Sequence, residues 1–190
     1  IRANLNNFGG TVAPGNSIGT LTVDGNYVQS SGGTLEMEIQ NPSIADRLNI
    51  TGTALLAGTL GLEILGNGLS FGDVVTLITA QGGIGGGFDQ ITGVPSGFRA
   101  RPWLTSGNTA YNLIFAPRSY TQVATTPNQT ALARALDQWI GVGEREIAAA
   151  TLQLDLLREA AYPIVFEAIL PTIYGSLVPT TFAQSYGDGR

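Results

Sequence analysis

The chain has 190 residues, 43% of them apolar and only 12% charged, with 26 glycines and a net charge of −5. This apolar content is that of a globular protein, and the acidic balance, with arginine as the sole basic residue type, argues against nucleic acid or an anionic membrane surface as partner. Because cysteine and histidine are both absent, disulfides, thiolate nucleophiles, zinc–cysteine sites and histidine general bases are excluded.

Two segments of the first third of the chain repeat each other with a period of about 25 residues. They are TLTVDGNYVQSSGGTLEMEIQN (20–41) and RLNITGTALLAGTLGLEILG (47–66), in which Leu21 aligns with Leu48 and Glu38 with Glu63. Within each segment apolar and polar residues alternate as in β-strands, and glycine-containing corners separate the strands. Short strands, glycine corners and this period predict the stacked turns of a β-solenoid, with a β-sandwich as the alternative.

The predicted solenoid extends over residues 1–92. The stretch DVVTLITA (73–80) is expected to add one more buried strand, whereas GGIGGG (82–87) is expected to be a flexible loop. A phosphate-binding function for these glycines is not supported, because no capped helix follows them.

Residues 93–117 are predicted to close the end of the solenoid. In FRARPWLTSGNTAYNLIFAP (98–117), two strand patterns flank a turn at 106–108, which indicates an antiparallel hairpin. Pro102 confines the first strand to a sheet edge or a bulge. The expected cap residues are Phe98, Trp103, Leu104, Tyr111, Leu113 and Phe115. Because open solenoid ends expose a core and a strand edge, we predict that this hairpin caps the last turn and that Trp103 plugs the core.

Residues 118–190 are predicted to form a helical linker. Thr126 has the features of an N-cap, Pro127 of the first helical residue, and Gln129 of the second half of a capping box. The residues Leu132, Ala135, Leu136, Trp139 and Ile140 then follow helical spacing and predict one apolar stripe. A second helix is expected at about 144–161.

Residues 160–182 are nearly uncharged and approach the length of a transmembrane helix. Prolines at 163, 171 and 179, with Glu167 among them, argue against a membrane span. We expect two short helices that pack on a partner surface, and this apolar segment could also support self-association.

Three carboxylates on the predicted solenoid raise the question of catalysis. Glu36, Glu38 and Glu63 lie on one face, and Glu38 and Glu63 occupy equivalent places in adjacent turns, about 5 Å apart. Such a pair could act as acid and base on a polysaccharide, but two solvated charges that discourage edge pairing are the simpler interpretation. We therefore predict no enzymatic activity, no cofactor and no metal ion.

The order of these segments resembles that of the autotransporters, the type V secreted proteins of Gram-negative bacteria. GGTVAPGNSIGTLTVDGNYVQSSGGTLEMEI looks like the penultimate coils of such a passenger, and FDQITG with the 98–115 hairpin looks like the capping region called the autochaperone. PNQTALARALDQW is similar to the segment that follows the cap, and LPTIYGSLVPTTFAQS to the last segment before the barrel. The resemblance covers nearly the whole chain.

The resemblance implies a right-handed parallel β-helix with a hairpin cap and a helical tail, exported through the periplasm to the cell surface and the outer membrane. It implies that the cap folds first and templates the rest of the passenger. The expected partners are upstream passenger coils and the protein's own C-terminal β-barrel. Because residues 1–25 lack a signal-peptide pattern and the first residue is Ile1, we expect a piece of a longer protein. The alternative function is that of a surface adhesin or a polysaccharide-acting fragment.

Overall fold

In a computed structural model of the chain, residues 1–142 and 145–170 are described. The chain divides into two compact units, Ile1–Ala116 and Pro117–Arg190. The division lies next to the boundary that we expected between residues 117 and 118. The first unit consists of strands, and the described part of the second consists of helices.

The first unit is a parallel β-solenoid of about three turns. Each turn contributes one strand to each of three sheets, so successive turns stack by pairing equivalent strands. The strands of the three turns are β1 (Leu5–Asn7), β2 (Thr11–Val12) and β3 (Thr20–Val23); β4 (Tyr27–Gln29), β5 (Thr34–Asn41), the short β6 (Ile44–Ala45) and β7 (Arg47–Ile50); and β8 (Ala54–Leu56), β9 (Thr59–Ile64) and β10 (Asp73–Ala80).

The register between turns follows the sequence repeat. β3 pairs in parallel with β7, with Leu21 opposite Leu48. β5 pairs in parallel with β9, with Glu38 opposite Glu63. The strand prediction for residues 73–80 is also confirmed, because β10 has these bounds. Apolar side chains at alternate positions point inward, which gives one core that runs along the solenoid.

A fourth turn begins where we expected a flexible loop. Its first two strands are β11 (Ile84–Gly86) and β12 (Gln90–Thr92), which pair in parallel with β8 and β9. The loop prediction was wrong because the single apolar residue of GGIGGG, Ile84, is buried in the core. Gly86 has a φ of 72°, and a Cβ there would run into the carbonyl of Leu56. The glycines thus serve close packing of a strand.

The solenoid ends in the predicted hairpin, formed by β13 (Phe98–Leu104) and β14 (Ala110–Pro117). Its turn contains Gly107 and Asn108 with positive φ values of 83° and 53°, as the sequence SGN predicts. The strand order of this sheet is β13-β14-β10-β7-β3, and β14 pairs with β10 in antiparallel orientation. The second strand of the hairpin therefore lies next to the solenoid, and the first strand lies at the edge of the sheet. We call β13 and β14 together the cap hairpin.

A polar network lies inside the second turn, at the corner between two sheets. The Gln29 side chain is 1% exposed, and its Nε2 donates to the carbonyls of Gly33, Ala57 and Thr59 at 3.1, 2.8 and 3.1 Å. Its Oε1 accepts hydrogen bonds from the Tyr27 hydroxyl at 2.6 Å and from Asn7 Nδ2 at 3.5 Å. Because Asn7 belongs to the first turn and Ala57 to the third, this corner network connects three consecutive turns.

The second unit begins with a 3-10 helix, Tyr120–Val123, whose capping box is formed by Ser119 and Gln122. It continues with helices α1 (Pro127–Asp137) and α2 (Arg145–Asp155), a 3-10 turn (Glu159–Ala161) and helical residues 162–170. Of the part of the chain that the structure describes, no helix is both long and apolar enough to cross a membrane. Residues 171–182 of the predicted self-association segment, and the start of the second predicted helix at 144, lie outside the described residues.

Two of the helix predictions need correction. The Thr126 hydroxyl accepts a hydrogen bond from the backbone N–H of Gln129, and Pro127 is the first helical residue, as predicted. The side-chain oxygen of Gln129, however, accepts a hydrogen bond from the backbone N–H of Thr125 and not from that of Thr126. The capping box is therefore only half formed.

The predicted apolar stripe is also too long. Leu132 and Leu136 are buried, but α1 ends at Asp137, so Trp139 and Ile140 lie in the turn beyond it, and Trp139 is 42% exposed.

Candidate functional site

The closed end of the solenoid is the first candidate site. Within the cap hairpin, Tyr111, Leu113 and Phe115 on β14 are buried members of the solenoid core. Phe98 and Leu104 on β13 are partly buried and pack against the same core. Five of the six predicted cap residues thus come together over the last turn, because alternate positions of both strands face inward.

Trp103 does not plug the core. Its side chain is 37% exposed and is not a member of the core cluster. The plug prediction was wrong because it did not consider which face of β13 the residue occupies. On β13 the residues Phe98, Ala100 and Leu104 contact the core, and position 103 lies on the opposite face of the strand.

Two aromatic residues of the cap were missed by the sequence analysis. Phe71, in the loop before β10, lies 4.9 Å from Phe98 between ring centroids, and Phe98 lies 6.3 Å from Phe115. Phe88, between β11 and β12, meets Tyr111 edge-on at 5.3 Å. Phe71 and Phe88 are each a single aromatic residue in a stretch rich in glycine and polar residues. This contrast with their neighbours in the sequence is the signal that could have identified them as cap residues. Such ring pairs add to the free energy gained from burial.

A polar bridge fixes the cap hairpin to the solenoid. Asn112 on β14 is buried; its Oδ1 accepts from the Thr76 hydroxyl on β10 at 2.6 Å and its Nδ2 donates to the Trp103 carbonyl on β13 at 3.1 Å. The register of β10 against β14 shifts between Thr76 and Ile78. The guanidinium of Arg47 on β7 donates to the Thr76 carbonyl at this irregularity. Neither Asn112 nor Arg47 stands out in the sequence, because their partners are distant along the chain.

The helix residues Thr126, Pro127, Gln129, Leu132 and Leu136 belong to the second unit and form a packing arrangement of their own. Gln129 Nε2 donates to Glu167 Oε1 at 2.8 Å and to the Pro163 carbonyl at 3.3 Å, which joins α1 to the helical residues 162–170. The 3-10 helix is held by Tyr120, whose hydroxyl donates to Asp155 Oδ1 at 2.7 Å and whose backbone N–H donates to Asp137 Oδ1 at 2.7 Å. These contacts are structural.

The second candidate site is an acidic groove of about 400 Å³ on the outer face of the β5–β9 sheet. Its carboxylates are Glu36, Glu38, Asp46 and Glu63. Asp46 is buried and accepts from the backbone N–H groups of Gly19 and Glu38 at 2.7 and 2.8 Å, so its role is structural. Glu38 and Glu63 are direct neighbours across the parallel strands, as the repeat predicted. The groove thus contains a stacked carboxylate pair.

Burial of its carboxylate raises the pKa of Glu38 above the ordinary value of 4.5, and the negative charges of Asp46 and Glu63 raise it further. One carboxylate oxygen of Glu38 is buried and has no hydrogen-bond partner among the described residues. Over the same residues, no group of three or more acidic side chains has the arrangement needed to hold a metal ion. The feature that characterises the groove is the mutual repulsion of its carboxylates.

We expect the contribution of Glu38 to the stability of the solenoid to be lost as the pH rises above 4.5. Because the pKa of Glu38 is higher in the folded state than in the unfolded chain, its contribution to stability is fully present below pH 4.5 and is lost as the pH rises through the folded-state pKa. The variant Glu38→Gln should be more stable than the native chain above this window and should have a flatter pH profile. Urea midpoints measured from about pH 4 to pH 8 test this, with the exposed Glu36→Gln as control. Coinciding profiles of Glu38→Gln and the native chain would contradict it.

Comparison of the sequence with known protein families and with curated proteins gives no match. The fold and the geometry of the two candidate sites are therefore the basis for assigning a function.

Proposed function

We propose that this chain is the C-terminal portion of a secreted passenger of the autotransporter type, in which the cap hairpin closes the β-solenoid and starts its folding during export. The proposal places the protein at the cell surface, attached to the outer membrane. Its partners are passenger turns that stack on the first turn and a translocating β-barrel that follows the helical unit. The chain has no enzymatic activity in this proposal.

One observation carries the proposal: an antiparallel hairpin is joined to the last parallel strand of the solenoid and brings aromatic side chains to that end of the core. Single turns of a solenoid are unstable alone, so folding needs a nucleus from which turns can be added. The end that buries the most apolar side chains is the best such nucleus, because this burial is the first to offset the loss of chain entropy. A cap of this kind supports a role in templating an emerging passenger.

The helical unit supports the second half of the proposal, a connection to a membrane anchor. Among its described residues, Trp139 and Ile164 are large apolar side chains that remain 42% and 72% exposed. Exposed apolar residues of this size are suited to contacts with a neighbouring element or with a second copy of the chain. The apolar segment 160–182 is the region that we propose for self-association.

Deletion of the cap hairpin in the full-length exported protein is expected to reduce the passenger at the cell surface by about tenfold or more, because the emerging chain would lack its nucleus. Surface protease accessibility measures this. Trp103→Ala is the matched control within the hairpin, because it removes a large exposed side chain and leaves the core closed. Normal surface levels of a folded passenger after deletion of 98–117 would overturn the proposal.

A second candidate function is binding or cleavage of polysaccharide on the outer face of the solenoid. The stacked pair Glu38 and Glu63 in the acidic groove favours it. Four carboxylates in one groove repel acidic sugars, so a neutral glycan is the better ligand for this hypothesis. Cleavage or binding of neutral glycans by the native chain, lost in Glu38→Gln, would support this function.

A further inference from the structure

The order of strands in the cap hairpin differs from the order in which the chain supplies them. β11 and β12 pair in parallel with β8 and β9, as a regular fourth turn would. The next strand in the chain is β13, so a regular turn would place β13 in parallel beside β10. The structure instead has β14 beside β10 and β13 outside it. Something in the sequence must select the second strand over the first.

β13 has the inward pattern that a fourth-turn strand needs. Phe98, Ala100 and Leu104 alternate along it and contact the core from the edge position. Apolar patterning alone therefore does not keep β13 from pairing with β10. The difference between the two strands lies in the backbone, because β13 contains Pro102 in its interior, whereas the proline of β14 is its last residue, Pro117.

The backbone orientation of β13 follows from two hydrogen bonds. The Thr105 N–H donates to the Ala110 carbonyl at 3.1 Å, and the Trp103 carbonyl accepts from Asn112 on β14 at 3.1 Å. Backbone groups at alternate positions of a strand point to opposite sides, so positions 101, 103 and 105 face β14 and positions 100, 102 and 104 face the open edge. The nitrogen of Pro102, which has no hydrogen, thus lies on the side where no ladder bond is made.

We propose that Pro102 is the residue that selects the topology of the cap. Because Pro102 has no N–H, β13 can form a complete hydrogen-bond ladder along only one of its two edges. β14 therefore takes the place beside β10, and the parallel ladder ends. If β13 lay between β10 and β14, both of its sides would be in ladders and the missing N–H would leave a gap in one of them. At the edge of the sheet the missing N–H costs no free energy, because no ladder hydrogen bond is made on that side. This inference rests on the capping half of the proposed function and gives that cap a termination device.

The inference is tested by disulfide trapping, for which the absence of native cysteine is an advantage. Thr79→Cys with Ala110→Cys reports the native order, because Thr79 and Ala110 are Cα partners across β10 and β14. Thr79→Cys with Arg101→Cys or Trp103→Cys reports the alternative order, because position 79 of β10 and positions 101 and 103 of β13 lie on the outer faces of their strands. In the native order β13 is two strands from β10, about 9–10 Å, which is beyond disulfide reach.

When Pro102 is kept, the double-cysteine variants refolded from urea are expected to form the 79–110 disulfide and neither of the others. In Pro102→Thr, we expect the ratio of native to alternative cross-links to fall roughly fivefold, which is the effect of one ladder hydrogen bond. Pro95→Thr, a proline outside the strand, is the matched control and should behave as the native chain. An unchanged ratio in Pro102→Thr would overturn the inference.

A second pair of variants tests which backbone positions of β13 face the open edge. These variants test the inference even if Pro102→Thr does not fold. Ala100→Pro places a proline where the nitrogen faces the open edge, and Trp103→Pro places one where it faces β14. We expect Ala100→Pro to keep the 79–110 disulfide and Trp103→Pro to lose most of it. Equal yields from the two variants would overturn the inference. Both measurements use the refolded chain, so their failure is distinguishable from a failure of surface export.

Discussion

Replacement of Phe115 by alanine is expected to lower the free energy of unfolding of the chain by about 3–5 kcal/mol. Phe115 lies on β14 opposite Asp73 of β10, its side chain is fully buried, and its ring meets Phe98 edge-on. Because rigid strands surround the site, the cavity left by the removed ring can collapse only in part. Urea unfolding followed by circular dichroism measures the loss.

The control for Phe115→Ala is Trp103→Ala in the same hairpin. Trp103 is the larger residue, but its exposure limits the expected loss to about 1 kcal/mol or less. Refolding kinetics add a second measurement: if the cap is the folding nucleus, Phe115→Ala slows refolding, whereas Leu21→Ala in the first turn mainly speeds unfolding. Equal urea midpoints for Phe115→Ala and Trp103→Ala would refute closure of the core by β14.

Replacement of Gln29 by leucine is expected to cost about 2–4 kcal/mol, although leucine is the more apolar residue. The change leaves three carbonyls and the hydroxyl of Tyr27 without the partners that the corner network gives them. The Tyr27 hydroxyl is enclosed in the core, and burial raises its pKa to about 12, so it has little access to water as a substitute. Urea midpoints measure the cost.

Tyr27→Phe is the matched control for Gln29→Leu. It removes one hydroxyl from the corner network and leaves the contacts of Gln29 with Gly33, Ala57 and Thr59 in place, so we expect a loss of about 1 kcal/mol. A Gln29→Leu chain as stable as the native one would show that the network does not hold the three turns together.

The sequence repeat predicted the fold because, in a solenoid, residues that align between repeats lie opposite each other on paired strands of neighbouring turns. Leu21 and Leu48, or Glu38 and Glu63, align in sequence and are also opposite each other in the sheets. The hairpin and the first helix were predicted for a related reason. The turn at Gly107 and Asn108 and the cap at Thr126 depend on the conformation of a few consecutive residues.

One failed prediction depended on a contact between residues that are distant along the chain. Ile84 is isolated among glycines, and only its stacking on the third turn makes that stretch a strand. The helix α1 ends before its apolar stripe does, so Trp139 lies beyond it in a turn. Trp103 was predicted to plug the core, yet it lies on the outer side of its strand, and that position leaves its side chain 37% exposed.

The direction of the hydrogen bonds in the solenoid has a mechanical consequence. The three sheets pair each turn with the next, so their interstrand bonds run along the axis of stacking. A force that draws the first turn away from the last acts along these bonds and breaks them one row at a time, so turns are released singly. The same geometry lets turns be added singly at the open end, and a chain that emerges gradually through a narrow passage can be pulled forward by each turn as it forms.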